Sequence, residues 1–179
     1  MKQINSRIEL VSLLPENAVV AEVGVATGRF SKELLESGKV SRLYMIDIWG
    51  TIPGAFGDGS KEKEWHNENY ELSKKVADSF SGVAVMIKDF SANAATQIPD
   101  NSLDGVYLDG DHTYEGNKAD LLAYFPKVKP GGFIAGHDFL NIIDYGVNKA
   151  VNEFCDGKFE VVVIPEDEPN NASFYFIKP

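Results

Sequence analysis

A single cysteine, Cys155, is all the thiol chemistry in 179 residues, which excludes an internal disulfide and any Cys-rich zinc site. It sits among Val147, Val151 and Phe154 at helical apolar spacing, so its expected place is helix packing. No run approaches the ~20 apolar residues that span a bilayer. The amino end, Met1-Lys2-Gln3-Ile4-Asn5, lacks the apolar stretch of a signal peptide. The expectation is a cytoplasmic protein without a membrane partner. Basic residues are also short: 17 Lys and Arg stand against 27 Asp and Glu, for a formal net charge of −10. Nucleic acid would meet net repulsion, so a neutral or cationic small molecule is the expected partner.

What is present is a continuous apolar rhythm, which predicts one domain over residues 1–179. Ile4, Ile8, Val11 and Leu14 recur at helical spacing up to Pro15 and predict an opening scaffold helix. Strands are then predicted at 18–23, 43–47, 83–87, 105–109 and 133–135. Helices intervene from Phe30 to Gly38, from Trp65 to Phe80, and through Leu121, Leu122 and Phe125. A last helix passes Phe154, and two late strands, 159–164 and 173–177, are close enough in sequence to be antiparallel. Strand–helix alternation with right-handed crossovers predicts an α/β fold: a doubly wound, mostly parallel seven-stranded sheet with helices on both faces and an antiparallel last strand. Ligand sites in such sheets lie beyond the carboxyl ends of the strands.

The first of those ends carries Glu22-Val23-Gly24-Val25-Ala26-Thr27-Gly28. Its glycines let backbone approach a ligand that a Cβ would obstruct. Gly-x-Gly-x-x-Gly is absent, since Ala26 and Arg29 occupy the other two positions counted from Gly24, and this weighs against a dinucleotide site. Asp47 follows nineteen residues past Gly28 at the end of the second strand, where a carboxylate can accept from both ribose hydroxyls. Lys88-Asp89-Phe90 ends the third strand with a carboxylate and a ring suited to an adenine's amine and face.

These residues resemble the first motif of the class I S-adenosylmethionine (SAM)-dependent methyltransferases, an acidic residue followed by alternating glycines. Glu22, Gly24 and Gly28 match, and Ala26 stands where the middle glycine falls. The resemblance implies the Rossmann-like methyltransferase fold and SAM as cofactor. It also implies that the turn from Gly24 to Gly28 passes the methionine, Asp47 holds the ribose, and Asp89 and Phe90 face adenine.

Leu108-Asp109-Gly110-Asp111-His112-Thr113-Tyr114 and Ala135-Gly136-His137-Asp138-Phe139 end the fourth and fifth strands. Three carboxylates and two imidazoles crowded into one crevice need compensation, from a divalent cation, the sulfonium or a proton. A cation is the preferred account: Asp109 and Asp138 suit Mg²⁺ or Mn²⁺, and His137 joins if the metal is softer. With Pro130-Gly131-Gly132 between them, these segments resemble the branch containing macrocin and mycinamicin O-methyltransferases and cephalosporin-hydroxylase-type proteins. That branch implies metal on Asp109 and Asp138 and His112 as general base. Phe139 follows Asp138 where some members carry an acidic residue, so the third ligand is left unassigned.

Trp49, Phe56 and Trp65, around a Gly-rich stretch over 49–59, are candidates to cover an apolar acceptor. Glu166-Asp167-Glu168 reads as a solvated loop, and His66 is given no site role. The leading reading is methyl transfer from SAM to a hydroxyl of a small molecule. Its rivals are a nicotinamide-dependent oxidoreductase and a non-catalytic SAM-binding module, and a homo-oligomer is compatible with each.

Overall fold

Seven strands form one sheet in the order β3-β2-β1-β4-β5-β7-β6 in a computed structural model that describes residues 4–55, 57–140, 145–165 and 172–179. Strands β1 (Ala18–Val23), β2 (Val40–Asp47), β3 (Ala84–Lys88), β4 (Leu103–Leu108) and β5 (Val128–Gly136) run parallel. β7 (Ser173–Ile177) lies antiparallel to β5 and to β6 (Val162–Ile164). The expected mostly parallel sheet with an antiparallel last strand is therefore the observed one. Phe56 and the acidic stretch 166–168 lie outside the described residues.

The sheet is covered on both faces because its strands alternate strictly. Ala21, Val23, Ile46, Val106, Leu108, Ile134, Phe174 and Phe176 join one core with α3 (Ser91–Ala95), α4 (Tyr114–Tyr124) and α5 (Val147–Cys155). Val20, Leu43, Met45, Tyr107, Phe133, Ala135 and Tyr175 join a second core with α1 (Arg29–Glu36), flanked by α2 (Lys63–Ser79). Such fully enclosed parallel strands read as near-continuous apolar runs. Cys155 is buried at the end of α5, and burial pushes its thiol up to about 11, as a packing residue requires.

Two expectations change in detail. The opening helix is 3₁₀, Arg7–Leu13, with only Leu10 of that segment buried and Ile8 and Val11 partly buried against the second core. The strand expected over 159–164 shrinks to Val162–Ile164, since Phe159 instead packs with Phe125, Phe154 and Phe176. Leu122 points outward from α4 with 59% exposure. No helix among the described residues is long and apolar enough to cross a membrane.

Candidate active site

Beyond the carboxyl ends of β1 to β4 lies a hollow of about 750 Å³, a volume suited to a nucleoside-sized ligand. Its floor is the turn after β1. Gly24 has φ +86°, and a Cβ there would stand 2.0 Å from the Asp109 carbonyl oxygen, so only glycine lets the ends of β1 and β4 meet. Ala26, at the position of the missing glycine, takes the left-handed φ of 47° that glycine would adopt without strain. That conformation is held from three sides. The Ala26 N–H donates to Asp47 Oδ2 at 2.8 Å, while its carbonyl accepts from Trp49 Nε1 at 2.9 Å and from Ser73 Oγ at 2.8 Å.

Asp47 completes this knot by accepting from the Trp49 N–H at 2.7 Å through Oδ1. Burial raises its carboxyl above the ordinary value, against the backbone donors, which lower it. Trp49 itself has φ 38° and is fully buried, so the first residues of the Gly-rich stretch form a wall. Ile52 to Ala55, Gly57 to Gly59 and Trp65 continue that wall. Glu22 and Gly28 do not reach the hollow's surface. Glu22 is buried behind the turn, bonded by the Ser31 hydroxyl, and burial pushes its carboxyl up to about 8. Gly28 enters α1 at φ +79°.

Gly24, Ala26, Asp47, Asp89, Phe90 and Asp109 all line the hollow, as does His112. Asp89 Oδ1 accepts from Phe90 N at 2.8 Å and Asn93 Nδ2 at 3.2 Å, tying it to the start of α3, while the Phe90 ring is 59% exposed at the rim. His137 and Asp138 stand beside the hollow rather than on its surface. The two are joined to it through Asp109 and His112: His112 Nε2 lies 3.5 Å from Asp109 Oδ1 and 3.3 Å from Asp138 Oδ2, and His137 Nδ1 lies 3.8 Å and 3.3 Å from the same oxygens. The tip of β5 is thus reached only indirectly.

Asp109, His137 and Asp138 each offer a ligand atom, and these atoms fall within 4.8 Å of one another. Two carboxylate oxygens and an imidazole nitrogen form a donor set that fits Mn²⁺ better than Mg²⁺, which takes oxygen ligands. Asp138 holds φ 53°, a left-handed conformation costing on the order of 1–3 kcal/mol that aims its carboxylate at both histidines. Burial alone would lower the His112 imidazole, but Asp109 and Asp138 outweigh it and raise it. Burial opposes, and Asp138 and Asp109 produce, the same rise in His137. His112 also stacks on Tyr145 at 5.2 Å, which fixes the plane of its ring.

Several neighbours carried no recognisable signal in the sequence. Arg7, from the opening 3₁₀ helix, lies over the Phe30 ring and sets Nη1 3.9 Å from Asp109 Oδ2. His66 and Asn69, one turn apart on α2, line the hollow near Asp47 with His66 Nε2 and Asn69 Nδ2 buried and unpartnered, so the structure brings His66 to the site after all. Asp120 reaches the hollow from α4, only 4% exposed, with its Oδ1 accepting from the Ser91 hydroxyl. Burial pushes its carboxyl up to about 7. Asp111 also lines the hollow and accepts from the Thr113 N–H, and Thr113 caps α4. Tyr114 turns away to donate to Glu153.

Residues 21–139 match the family model described as "Methyltransferase domain". Comparison with curated proteins gives no match. Solved structures similar to this chain include precorrin 8w decarboxylase from Methanobacterium thermoautotrophicum, at 20% identity and TM-score 0.67 over 96% of this chain and 87% of that one. Precorrin-6y C5,15-methyltransferase from Geobacter metallireducens aligns at 16% identity and TM-score 0.66 over 95% and 86%. CalS11, a calicheamicin methyltransferase, aligns at 19% identity and TM-score 0.64 over 96% and 74%. At these identities the likeness is one of fold.

Proposed function

Because the chain belongs to the methyltransferase-domain family, we propose that it transfers the sulfonium methyl of SAM to a hydroxyl oxygen of a small-molecule acceptor, with a divalent cation assisting. The observation that carries this reading is the shared hollow: Asp47, Gly24, Asp109 and His112 face one space at the strand ends. In this reading the Gly24 turn accommodates the methionine chain, Asp47 accepts from the ribose hydroxyls, and Phe90 covers the adenine. The carboxylates around the hollow favour the positive sulfonium over neutral analogues.

Asp109, Asp138 and His137 would hold the cation, which when bound lowers the pKa of an acceptor hydroxyl and offsets the carboxylates' charge. His112 takes the acceptor's proton, and Asp109 and Asp138, which face its Nε2, stabilise the imidazolium that forms. The acceptor oxygen then forms its bond to the methyl carbon as the carbon–sulfur bond breaks, leaving the neutral thioether. Trp49 and Trp65 form the acceptor's apolar wall.

The test is turnover of SAM against a panel of sugar, polyketide and phenol hydroxyls, with and without Mg²⁺ or Mn²⁺. O-methyl product formed faster with metal, and reduced at least 100-fold in Asp138→Ala, is expected. Methylation of nitrogen or carbon only, or a rate indifferent to both metal and Asp138, would overturn the proposal.

A further inference from the structure

We infer that Tyr145 is a positioning residue for methyl transfer: its ring, delivered by the start of α5, holds the His112 imidazole in the plane from which it takes the acceptor's proton, a role that rests on the base assignment of His112 above. A histidine ring turns about a broad, roughly two-fold torsion, so its plane has to be set from outside. The carboxylates do not set it. His112 Nε2 lies 3.5 Å from Asp109 Oδ1 and 3.3 Å from Asp138 Oδ2, and it is buried with no aligned hydrogen bond among the described residues. Charge at those distances attracts the ring but leaves its tilt free.

Tyr145 supplies the missing constraint. Its ring centroid lies 5.2 Å from that of the imidazole, with the planes 18° from parallel, a separation usual for stacked aromatic pairs. The stack is anchored in the backbone as well as in the rings. The N–H of Gly146, next in the chain, donates to the His112 carbonyl at 2.8 Å, so the two segments are joined through main chain and side chain together. Glycine is required at 146, because a Cβ there would stand 2.1 Å from the Tyr114 nitrogen and part the start of α5 from the start of α4. Val147, the first residue of α5, is buried in the core, so Tyr145 hangs from a fixed element. Tyr145 and His112 both line the hollow, where a misplacement of about 1 Å can cost on the order of 100-fold in rate.

Tyr145→Leu, Tyr145→Phe, His112→Gln and the double variant Tyr145→Leu/His112→Gln are compared with the wild-type protein. The chain has three histidines, so the His112 ring signals in isotope-labelled protein are identified by their loss in His112→Gln. They should move downfield in Tyr145→Leu, which removes the shielding ring face, and stay in place in Tyr145→Phe. In turnover of the hydroxyl panel, Tyr145→Leu should lower kcat at least 10-fold while KM for SAM stays within about twofold, and Tyr145→Phe should remain within about threefold of wild type. The double variant should be no slower than His112→Gln, since a residue that acts through another then has nothing to act on. A loss as large in Tyr145→Phe as in Tyr145→Leu assigns the effect to the hydroxyl, and a further loss in the double variant assigns it to direct contact with the acceptor. Either result overturns the positioning role, as do His112 signals unmoved in Tyr145→Leu. A His112→Gln protein as fast as wild type, or a panel from which no acceptor is turned over, instead overturns the reading of His112 as the base, and the role of Tyr145 with it.

Discussion

Glu22 shows how far a single buried carboxyl can shift the protein's pH response. Its carboxyl rises from 4.5 to about 8, first because of burial and then through Asp109 and Asp47, while Ser31 and Arg7 oppose the rise. In the unfolded chain the group ionises near its ordinary value, while in the folded chain it keeps its proton until about pH 8. The folded state therefore binds more protons between those limits, and stability falls as pH rises through that window, by at most about 1.4 kcal/mol per pH unit. Glu22→Gln keeps an acceptor for Ser31 and removes the titration. Its melting temperature should match wild type near pH 4.5 and gain progressively up to pH 8; a difference that is constant across that range would rule out this account. The sequence marks Glu22 as acidic and strand-terminal, but not that it faces inward. Which side of a turn a carboxylate takes depends on the packing of α1, and the same holds for His66 and Asp120, which reach the hollow from helices distant in sequence.

At the scale of elements, the turn after β1 is where backbone geometry meets the floor of the hollow. Gly24 and Gly38 both have positive φ, +86° and +74°, but a Cβ at Gly24 would meet Asp109 backbone, and at Gly38 it would meet nothing within 4 Å. Gly38→Ala should therefore cost only the conformational term, about 1 kcal/mol. Gly24→Ala should cost at least about 3 kcal/mol in denaturant unfolding, since strain is added to a clash that parts β1 from β4. Equal losses in the two variants would show that the close approach is not structurally demanding. Elements of this kind were legible where periodicity is long: β1 and β7 have the bounds that their apolar runs indicate, and the β–α alternation fixes the sheet. The five residues of α3 are too few for a 3.6-residue period to register. The opening segment spaces its apolar residues as an α-helix would and nevertheless forms 3₁₀ turns, a distinction that spacing alone does not carry.

For the molecule as a whole, the proposed function implies two neighbouring ligand sites that share Asp109, the nucleoside drawing on the ends of β1, β2 and β3 and the cation on those of β4 and β5. Ligands that bind only the folded state stabilise it by mass action, about 2.7 kcal/mol at one hundred times the dissociation constant. For a chain of this length that corresponds to a rise of about 5–10 °C in melting temperature. S-adenosylhomocysteine should produce such a shift in the wild-type protein and in Asp138→Ala, and lose it in Asp47→Ala. Mn²⁺ should raise the melting temperature of Asp47→Ala but not of Asp138→Ala, because relief of the crowded carboxylates requires Asp138 and not the ribose residue. If each variant instead lost the other ligand's shift, the strand ends would be partitioned the opposite way. If both shifts vanished in both variants, the two sites would form one cooperative unit, with Asp109, held against Gly24 at the junction of β1 and β4, as the residue that couples them.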